Sequence, residues 1–82
     1  MERPTNFESA NDRNAWIIQH ADYFTVCRFI DRKRERLEAK TLEEARDIAK
    51  ILLKQNPKPC LIYAVQGIHD TYVEMVKPKG TQ

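Results

Sequence analysis

Four side chains in the sequence have the chemistry of metal ligands, and two of them are also nucleophiles: His20, Cys27, Cys60 and His69. Zinc sites are usually recognised by pairs of ligands that are separated by only about two to five residues. None of the four is that close to another. We therefore expect no metal site. We expect both cysteines to be buried thiols. A disulfide between them is the alternative if their strands are neighbours.

Carboxylates are the next candidates for chemistry, and the densest group is Glu43, Glu44 and Asp47. All three fall at the start of a predicted helix, where capping and the helix dipole already account for acidic residues. No pair of carboxylates lies in an apolar setting that would raise a pKa for acid–base catalysis. We expect no catalytic residue, no cofactor and no small-molecule substrate, so the chain should not be an enzyme.

A basic cluster is the third candidate. Six of the fourteen cations fall within thirteen residues: Arg28, Arg32, Lys33, Arg34, Arg36 and Lys40. Several cations on one hairpin can contact adjacent phosphates of a nucleic acid. The alternative is a solvated turn whose charges protect a sheet edge. Asp31, Glu35 and Glu38 dilute the cluster and favour that alternative.

Length and composition limit the possible functions. A chain of 82 residues forms one small domain with a thin core, so a deep substrate cavity is not expected. The net charge of +2 is too small to indicate nucleic acid by itself. The first fourteen residues lack the apolar core of a signal peptide, and no apolar run approaches the roughly 18 residues of a membrane span. We predict a soluble, cytoplasmic protein with no membrane partner.

These residues must be positioned by five predicted strands and one helix. Residues 1–14 are polar and are predicted to be a flexible tail, residues 15–78 a single domain, and residues 79–82 a frayed tail. Runs of β-branched and aromatic residues predict strands at 16–20, 24–30, 35–39, 60–65 and 71–76. The turn after residue 30 lacks glycine, which favours a loop longer than two residues.

The helix, residues 41–55, has the clearest signals. Thr41 and Glu44 form a capping box, in which each side chain can satisfy a free backbone N–H group. Apolar residues follow at intervals of three and four and make one stripe along the helix. Asn56 and Pro57 end it. The predicted fold is α+β, with an antiparallel sheet of four to five strands in the order β-β-β-α-β-β and one helix packed on one face.

The other face of the sheet would then be open. Side chains alternate along a strand, and burying Arg28 without a partner would be costly. This reasoning places Thr25, Cys27 and Phe29 under the helix, together with Leu37, Val73 and Met75. It places Arg36, Glu38 and Glu74 on the open face, beside a predicted partner-binding set of Phe24, Val26, Arg28, Ile30, Tyr72 and Val76. A bulge that reverses the register and buries Phe24 and Val26 is the alternative.

The stretch 24–49, in which Arg-Lys-Arg-Glu-Arg leads into Thr-Leu-Glu-Glu-Ala, resembles the DNA-binding domains of integrase arm-binding and plant AP2-like proteins. Those domains consist of a three-stranded sheet and a helix. The resemblance implies that the open face reads DNA through Arg28, Arg34 and Arg36. This chain lacks their glycine-bearing strand before the helix and adds a second hairpin after it. In size and charge mixture it is also similar to small phage-encoded proteins, many of which bind a host protein.

Two hypotheses about function follow. The first is a non-enzymatic protein-interaction module that forms a homodimer, or binds a partner or host protein, through the open face or an edge strand. The second is a DNA- or RNA-binding module that uses the basic hairpin 28–40.

Overall fold

The computed structural model describes residues 10–78, with side chains from residue 12 onward. Its elements, in order, are α1 (Ala10–Gln19), β1 (Tyr23–Ile30), β2 (Lys33–Ala39), α2 (Leu42–Gln55), β3 (Cys60–Gln66) and β4 (His69–Val76). The predicted α+β class and antiparallel sheet are confirmed. The sheet has four strands, and two helices accompany it. The predicted tail 79–82 and the first nine residues of the predicted tail 1–14 lie outside the described residues.

The four strands form one antiparallel sheet in the order β2-β1-β3-β4. Helix α1 packs against β3 and β4, while α2 contacts all four strands. Buried residues from both helices and from the sheet make one core, which includes Ile17, Ala45, Ala49 and Ile62. Both helices therefore cover the same face of the sheet.

Helix α1 replaces the strand predicted at residues 16–20, and this prediction was wrong. It begins at Ala10, so residues 10–14 of the predicted tail are also helical. Ile17 is fully buried, and Trp16 and Ile18 pack against the core around it. The His20 N–H group donates to the Trp16 carbonyl at 2.9 Å, and the two rings stack with centroids 4.5 Å apart. Packing of this one turn outweighs the weak strand preference of two adjacent isoleucines.

Helix α2 agrees with the prediction at both ends. The Thr41 hydroxyl accepts a hydrogen bond from the Glu44 N–H group at 3.1 Å, as an N-cap residue does. The apolar stripe buries Ala45, Ala49 and Leu52 against the sheet. The small alanines let the helix approach the strands closely, while Asn56 ends it with an N–H bond to the Leu52 carbonyl.

The β1–β2 hairpin is tighter than predicted, because Ile30 pairs directly with Lys33 across a two-residue turn. Asp31 has φ 51° and Arg32 has φ 68°, so both lie in the left-handed region that a type I′ turn requires. Aspartate tolerates this region, whereas arginine adopts it at a cost. The prediction of a longer loop was wrong because the turn lacks the glycine that usually marks this geometry.

Replacing Arg32 with glycine should therefore stabilise the protein. Relief of the left-handed strain should exceed the extra freedom that glycine gives the unfolded chain, for a net gain of about 0.5–1 kcal/mol in the free energy of unfolding. Urea denaturation checks this. Lys33→Gly is the matched control: it removes an adjacent exposed cation inside β2, and it should lower stability. A loss of stability in Arg32→Gly would contradict the turn geometry.

The faces of β1 are the reverse of the prediction. Directly paired residues of an antiparallel sheet share a face, and Val26 pairs with the core residue Ile62. Phe24, Val26 and Arg28 therefore lie under the helices, whereas Cys27 and Phe29 lie on the opposite face. Leu37 pairs with Val26 and lies on the helix side, as predicted.

A β-bulge changes the facing of the last strand. Ile62 pairs with Glu74 and Tyr63 pairs with Tyr72, so Val73 is an extra residue in β4. Tyr72 lies on the open side and Val73 packs against the core, as predicted. Beyond the bulge the prediction was wrong. The predicted placements of Glu74, Met75 and Val76 are reversed, because the extra residue shifts the alternation by one.

Glu74, on the helix side, accepts two hydrogen bonds from Arg46 of α2, at 3.1 and 2.6 Å. Val76 pairs with buried Cys60 and packs against the core. Met75 pairs with Leu61 instead and is 43% exposed on the opposite face.

Candidate functional site

Arg28 organises the junction between the sheet and the end of α2. It is only 4% exposed. Its Nη1 group donates to the carbonyls of Leu52 and Asn56 at 3.0 and 2.8 Å, and its Nε group donates to Glu35 Oε2 at 3.0 Å. The last carbonyls of a helix carry the negative end of its dipole, and these two accept only one backbone N–H group each, from Asn56 and Lys58. A buried guanidinium is therefore well satisfied there.

These bonds explain why the predicted faces are reversed. Burying Arg28 without partners is costly, but α2 and Glu35 supply three acceptors. With Arg28 inside, its neighbours on the same side are buried too: Phe24 is 8% exposed and Val26 is 1% exposed. The placement of Phe24, Val26, Arg28, Ile30 and Val76 on an open face was wrong. Of the predicted partner-binding set, only Tyr72 lies on that face, where it pairs with Tyr63.

The face opposite the helices is defined by the register of the strands and is called the open face below. Within residues 10–78, no helix covers it. Its members are Tyr23, Thr25, Cys27 and Phe29 of β1, Arg34, Arg36 and Glu38 of β2, Leu61, Tyr63 and Val65 of β3, and Asp70, Tyr72 and Met75 of β4.

An apolar band runs across the open face from β1 to β4 and consists of Phe29, Leu61, Tyr63, Tyr72 and Met75. Phe29 is 66% exposed and Tyr72 is 50% exposed. The rings of Tyr63 and Tyr72 meet edge to face, with centroids 6.0 Å apart and an interplanar angle of 75°. Isolated exposed apolar residues are common, but five on one face of a small sheet form a continuous patch.

A depression of about 260 Å³ lies at the β1 end of the apolar band. Phe29, Leu61 and Tyr63 line it, together with Cys27, Arg28 and Arg34. The Cys27 thiol is buried beneath the surface, and Arg34 Nη2 lies 3.7 Å from its sulfur. The depression is large enough for one side chain of a partner, and it offers an apolar wall beside a guanidinium.

The predicted basic cluster is divided by the fold. Arg28 is buried, Arg32 and Lys33 lie exposed at the hairpin tip, and Arg34 and Arg36 are exposed on the open face. Lys40 is exposed just past the far end of β2. The resemblance to DNA-binding domains assigned Arg28 to a DNA-reading surface, but its guanidinium instead bonds α2 and Glu35. Four neighbouring cations, Arg32 to Arg34 and Arg36, remain accessible.

Arg36 is held by its neighbours on the open face. Its guanidinium lies 3.5 Å from the Glu38 carboxylate. A hydrogen bond with the Tyr23 side chain is the main reason that the pKa of Arg36 is raised above its usual value. These contacts are solvent-exposed, so they fix the direction of the guanidinium more than they stabilise the fold.

The two cysteines are free and buried, as predicted. Cys60 belongs to the core, and burial raises the pKa of its thiol while nearby Arg28 lowers it in part. His20 stacks on Trp16, and His69 Nδ1 lies 3.5 Å from Arg13. Among the described side chains, no group of three histidine, cysteine or acidic residues could hold a metal ion.

The sequence reasoning missed most of the apolar band. It placed Phe29 and Met75 under the helix and did not assign Leu61 or Tyr63 to a site. One signal was present: Arg28 and Glu35 are opposite charges that a two-residue turn would pair directly across the hairpin. That pairing, with the carbonyls at the end of a following helix, indicates a buried arginine with partners.

The chain matches no family model, no curated protein and no solved structure. The resemblance to sheet-and-helix DNA-binding domains therefore stays a prediction. In the described part of the chain, neither helix has the length and apolar character that crossing a membrane requires.

Proposed function

We propose that this protein is a protein-interaction module that binds its partner through the open face, with a second copy of the chain as the first partner to test. The observation that carries the proposal is the apolar band, which no described helix covers, with Arg34 and Arg36 beside it. Aromatic residues, methionine and arginine are the types enriched in protein interfaces, whereas lysine is depleted. The band has this composition, and no lysine lies on the open face.

The open face is a better candidate than either edge strand. Edge strand β2 reads KRERLEA, and its charged residues disfavour pairing with another strand. Edge strand β4 contains the bulge at Val73, which interrupts the flat edge that strand addition needs. The apolar surface of the sheet is therefore the favoured contact.

A two-fold axis suits self-association through the open face. Because the sheet order is β2-β1-β3-β4, an axis parallel to the strands would place β2 of each copy over β4 of the other. The apolar band would then meet its own copy, with Arg34 and Arg36 toward one edge of the contact.

Sedimentation of the wild type and two variants tests the proposal. The wild type should dimerise in a concentration-dependent way. Phe29→Asp places a charge in the apolar band and should weaken dimerisation at least about tenfold, which corresponds to about 1.4 kcal/mol. Ile51→Asp is the matched control, because Ile51 is 57% exposed on α2, on the other side of the molecule. Its dimerisation should stay within about twofold of wild type.

Circular dichroism should confirm that both variants are folded. A wild type that stays monomeric up to millimolar concentration would exclude self-association. The partner that binds the open face would then be a different protein. This is tested by affinity capture, in which a retained protein should be lost with Phe29→Asp and kept with Ile51→Asp. Equal effects of the two variants would contradict the proposal in either form.

Nucleic-acid binding is the second candidate, and the four accessible cations at the β1–β2 hairpin favour it. Phosphate contacts by these cations would make the affinity fall steeply with salt. Replacing Arg32, Lys33 and Arg34 with alanine should then abolish gel shifts of single-stranded and duplex probes at low salt. If binding is measured and this triple variant keeps it, the hairpin is not a nucleic-acid site.

A further inference from the structure

A groove of about 640 Å³ lies on the helix side of the molecule, between the end of α2 and the end of β4. Its apolar surface comes from Leu53, Pro57, Val76 and Pro78. Three lysines, Lys50, Lys54 and Lys77, line it as well. We propose that this groove is a second binding site, and that its ligand is an acidic peptide segment with an apolar side chain between two acidic residues.

The charge of the groove indicates an anionic ligand. Lys50 and Lys54 come from α2 and Lys77 follows β4, so two separate parts of the chain contribute three lysines to the lining of one groove. No carboxylate lines the groove, and none of the three lysines has an ion pair within the described residues. A surface that lacks its own counter-charge is complementary to carboxylates of a partner.

Local structure does not account for all three lysines. A cation in the last turn of a helix is favoured by the helix dipole, which explains Lys54. Lys50 lies one turn earlier on the same face, where two like charges slightly destabilise a helix. Lys77 belongs to a different element. Their convergence on an apolar floor is what distinguishes this groove from an ordinary solvated helix end.

The spacing of the lysines fits an extended peptide. Positions four apart on a helix are separated by about 6 Å along its axis. Alternate residues of an extended chain are separated by about 6.6–6.8 Å, and their side chains point to the same side. Two acidic residues separated by one can therefore face Lys50 and Lys54. The residue between them points the other way, toward the wall formed by Val76 and Pro78.

The shape of the groove favours a peptide over a small apolar molecule. Every lining residue is at least partly exposed, so the groove is open along the surface. Sites for small ligands usually bury roughly 70–90% of the ligand surface, which an open groove cannot do. A peptide segment instead fills an open groove with alternate side chains and leaves its other side in water.

The test is fluorescence polarisation with a labelled peptide of alternating glutamate and leucine. It should bind saturably at about 50 mM salt and more weakly at about 300 mM, since exposed charge contacts are screened. Two matched peptides, with glutamine for glutamate and with serine for leucine, should each bind at least about tenfold more weakly. The first removes the charge and the second removes the apolar anchor.

Protein variants locate the site. Lys50→Gln, Lys54→Gln and Lys77→Gln combined should weaken peptide binding at least about tenfold. Arg32→Gln, Lys33→Gln and Lys40→Gln combined remove the same charge elsewhere and should change it less than about twofold. All six positions are exposed, so both proteins should fold. Phe29→Asp should bind the peptide as wild type does, which separates this site from the open face.

Three results would overturn the proposal: no saturable binding, equal weakening by the two triple variants, or undiminished binding of the glutamine peptide. Vesicles of phosphatidylcholine with about a quarter phosphatidylserine test an anionic membrane as the ligand. Vesicle binding that the groove triple variant abolishes, without any peptide binding, would assign the groove to lipid and overturn the peptide.

Discussion

Replacing Arg28 with methionine is expected to lower the free energy of unfolding by about 3 kcal/mol. Hydrogen bonds to a charged group contribute about 1.5–3 kcal/mol each when buried, and Arg28 makes two to the end of α2. Methionine has a similar length but cannot donate, so the carbonyls of Leu52 and Asn56 lose the charged donor and keep only the N–H groups of Asn56 and Lys58. The Glu35 side chain is 43% exposed, so water can solvate it and its loss adds little.

Arg34→Met is the matched control, because Arg34 is an exposed arginine of the same hairpin. Its free energy of unfolding should change by less than about 0.5 kcal/mol. Arg28→Lys should fall between wild type and Arg28→Met, since one ammonium cannot reproduce the fork of a guanidinium. Urea denaturation of all four proteins measures this. If Arg28→Met lost no more than Arg34→Met, Arg28 would not be buried against α2, and the facing of β1 would be wrong.

Ile17→Ala should also lower the free energy of unfolding by about 3 kcal/mol. Truncating a fully buried isoleucine usually costs about 2–5 kcal/mol, because apolar contact is lost and a cavity remains. Ile17 is fully buried between α1 and the rest of the core. Total stabilities are about 5–15 kcal/mol for such domains, so the melting temperature should fall markedly.

Ile68→Ala is the control for the isoleucine substitution, because Ile68 is 96% exposed at the β3–β4 turn. It should change the free energy of unfolding by less than about 0.5 kcal/mol. Equal stability of both variants would mean that α1 does not pack on the sheet.

The elements that the sequence predicts well are those with local signals. The ends of α2 are set by nearby residues, which are Thr41 and Glu44 at its start and Pro57 just after its end. Gly67, with φ 61°, marks the turn between β3 and β4. Each signal acts through neighbouring residues, so a single sequence contains the information.

The elements that it predicts poorly depend on distant contacts. Ile17 and Ile18 have weak strand preferences, and only packing against the core makes that segment helical. The partners of Arg28 at the end of α2 are 24 and 28 residues away. The bulge at Val73 is set by pairing with β3 and reverses three later residues.

The candidate site follows the same division. Arg36, Glu38 and Tyr72 are on the open face as the sequence predicts, because their placement needs only strand alternation. Phe29 and Met75 also lie on the open face, but they were predicted under the helix, since the position of Phe29 depends on the burial of Arg28 and that of Met75 on the bulge. Two long-range contacts, the bonds of Arg28 and the pairing that forms the bulge, therefore change which side chains the open face carries. The predicted face mixes charged and apolar residues, whereas the observed face has an apolar band with arginines beside it.

We propose that the open face is the surface through which the protein binds its partner. The most direct measurement is a dilution series of amide NMR spectra, from about millimolar down to about 20 µM protein. We expect concentration-dependent shifts at Phe29, Leu61 and Tyr72, no change at Ile51, and loss of the shifts in Phe29→Asp. Shifts confined to α2, or shifts that persist in Phe29→Asp, would contradict binding through the open face.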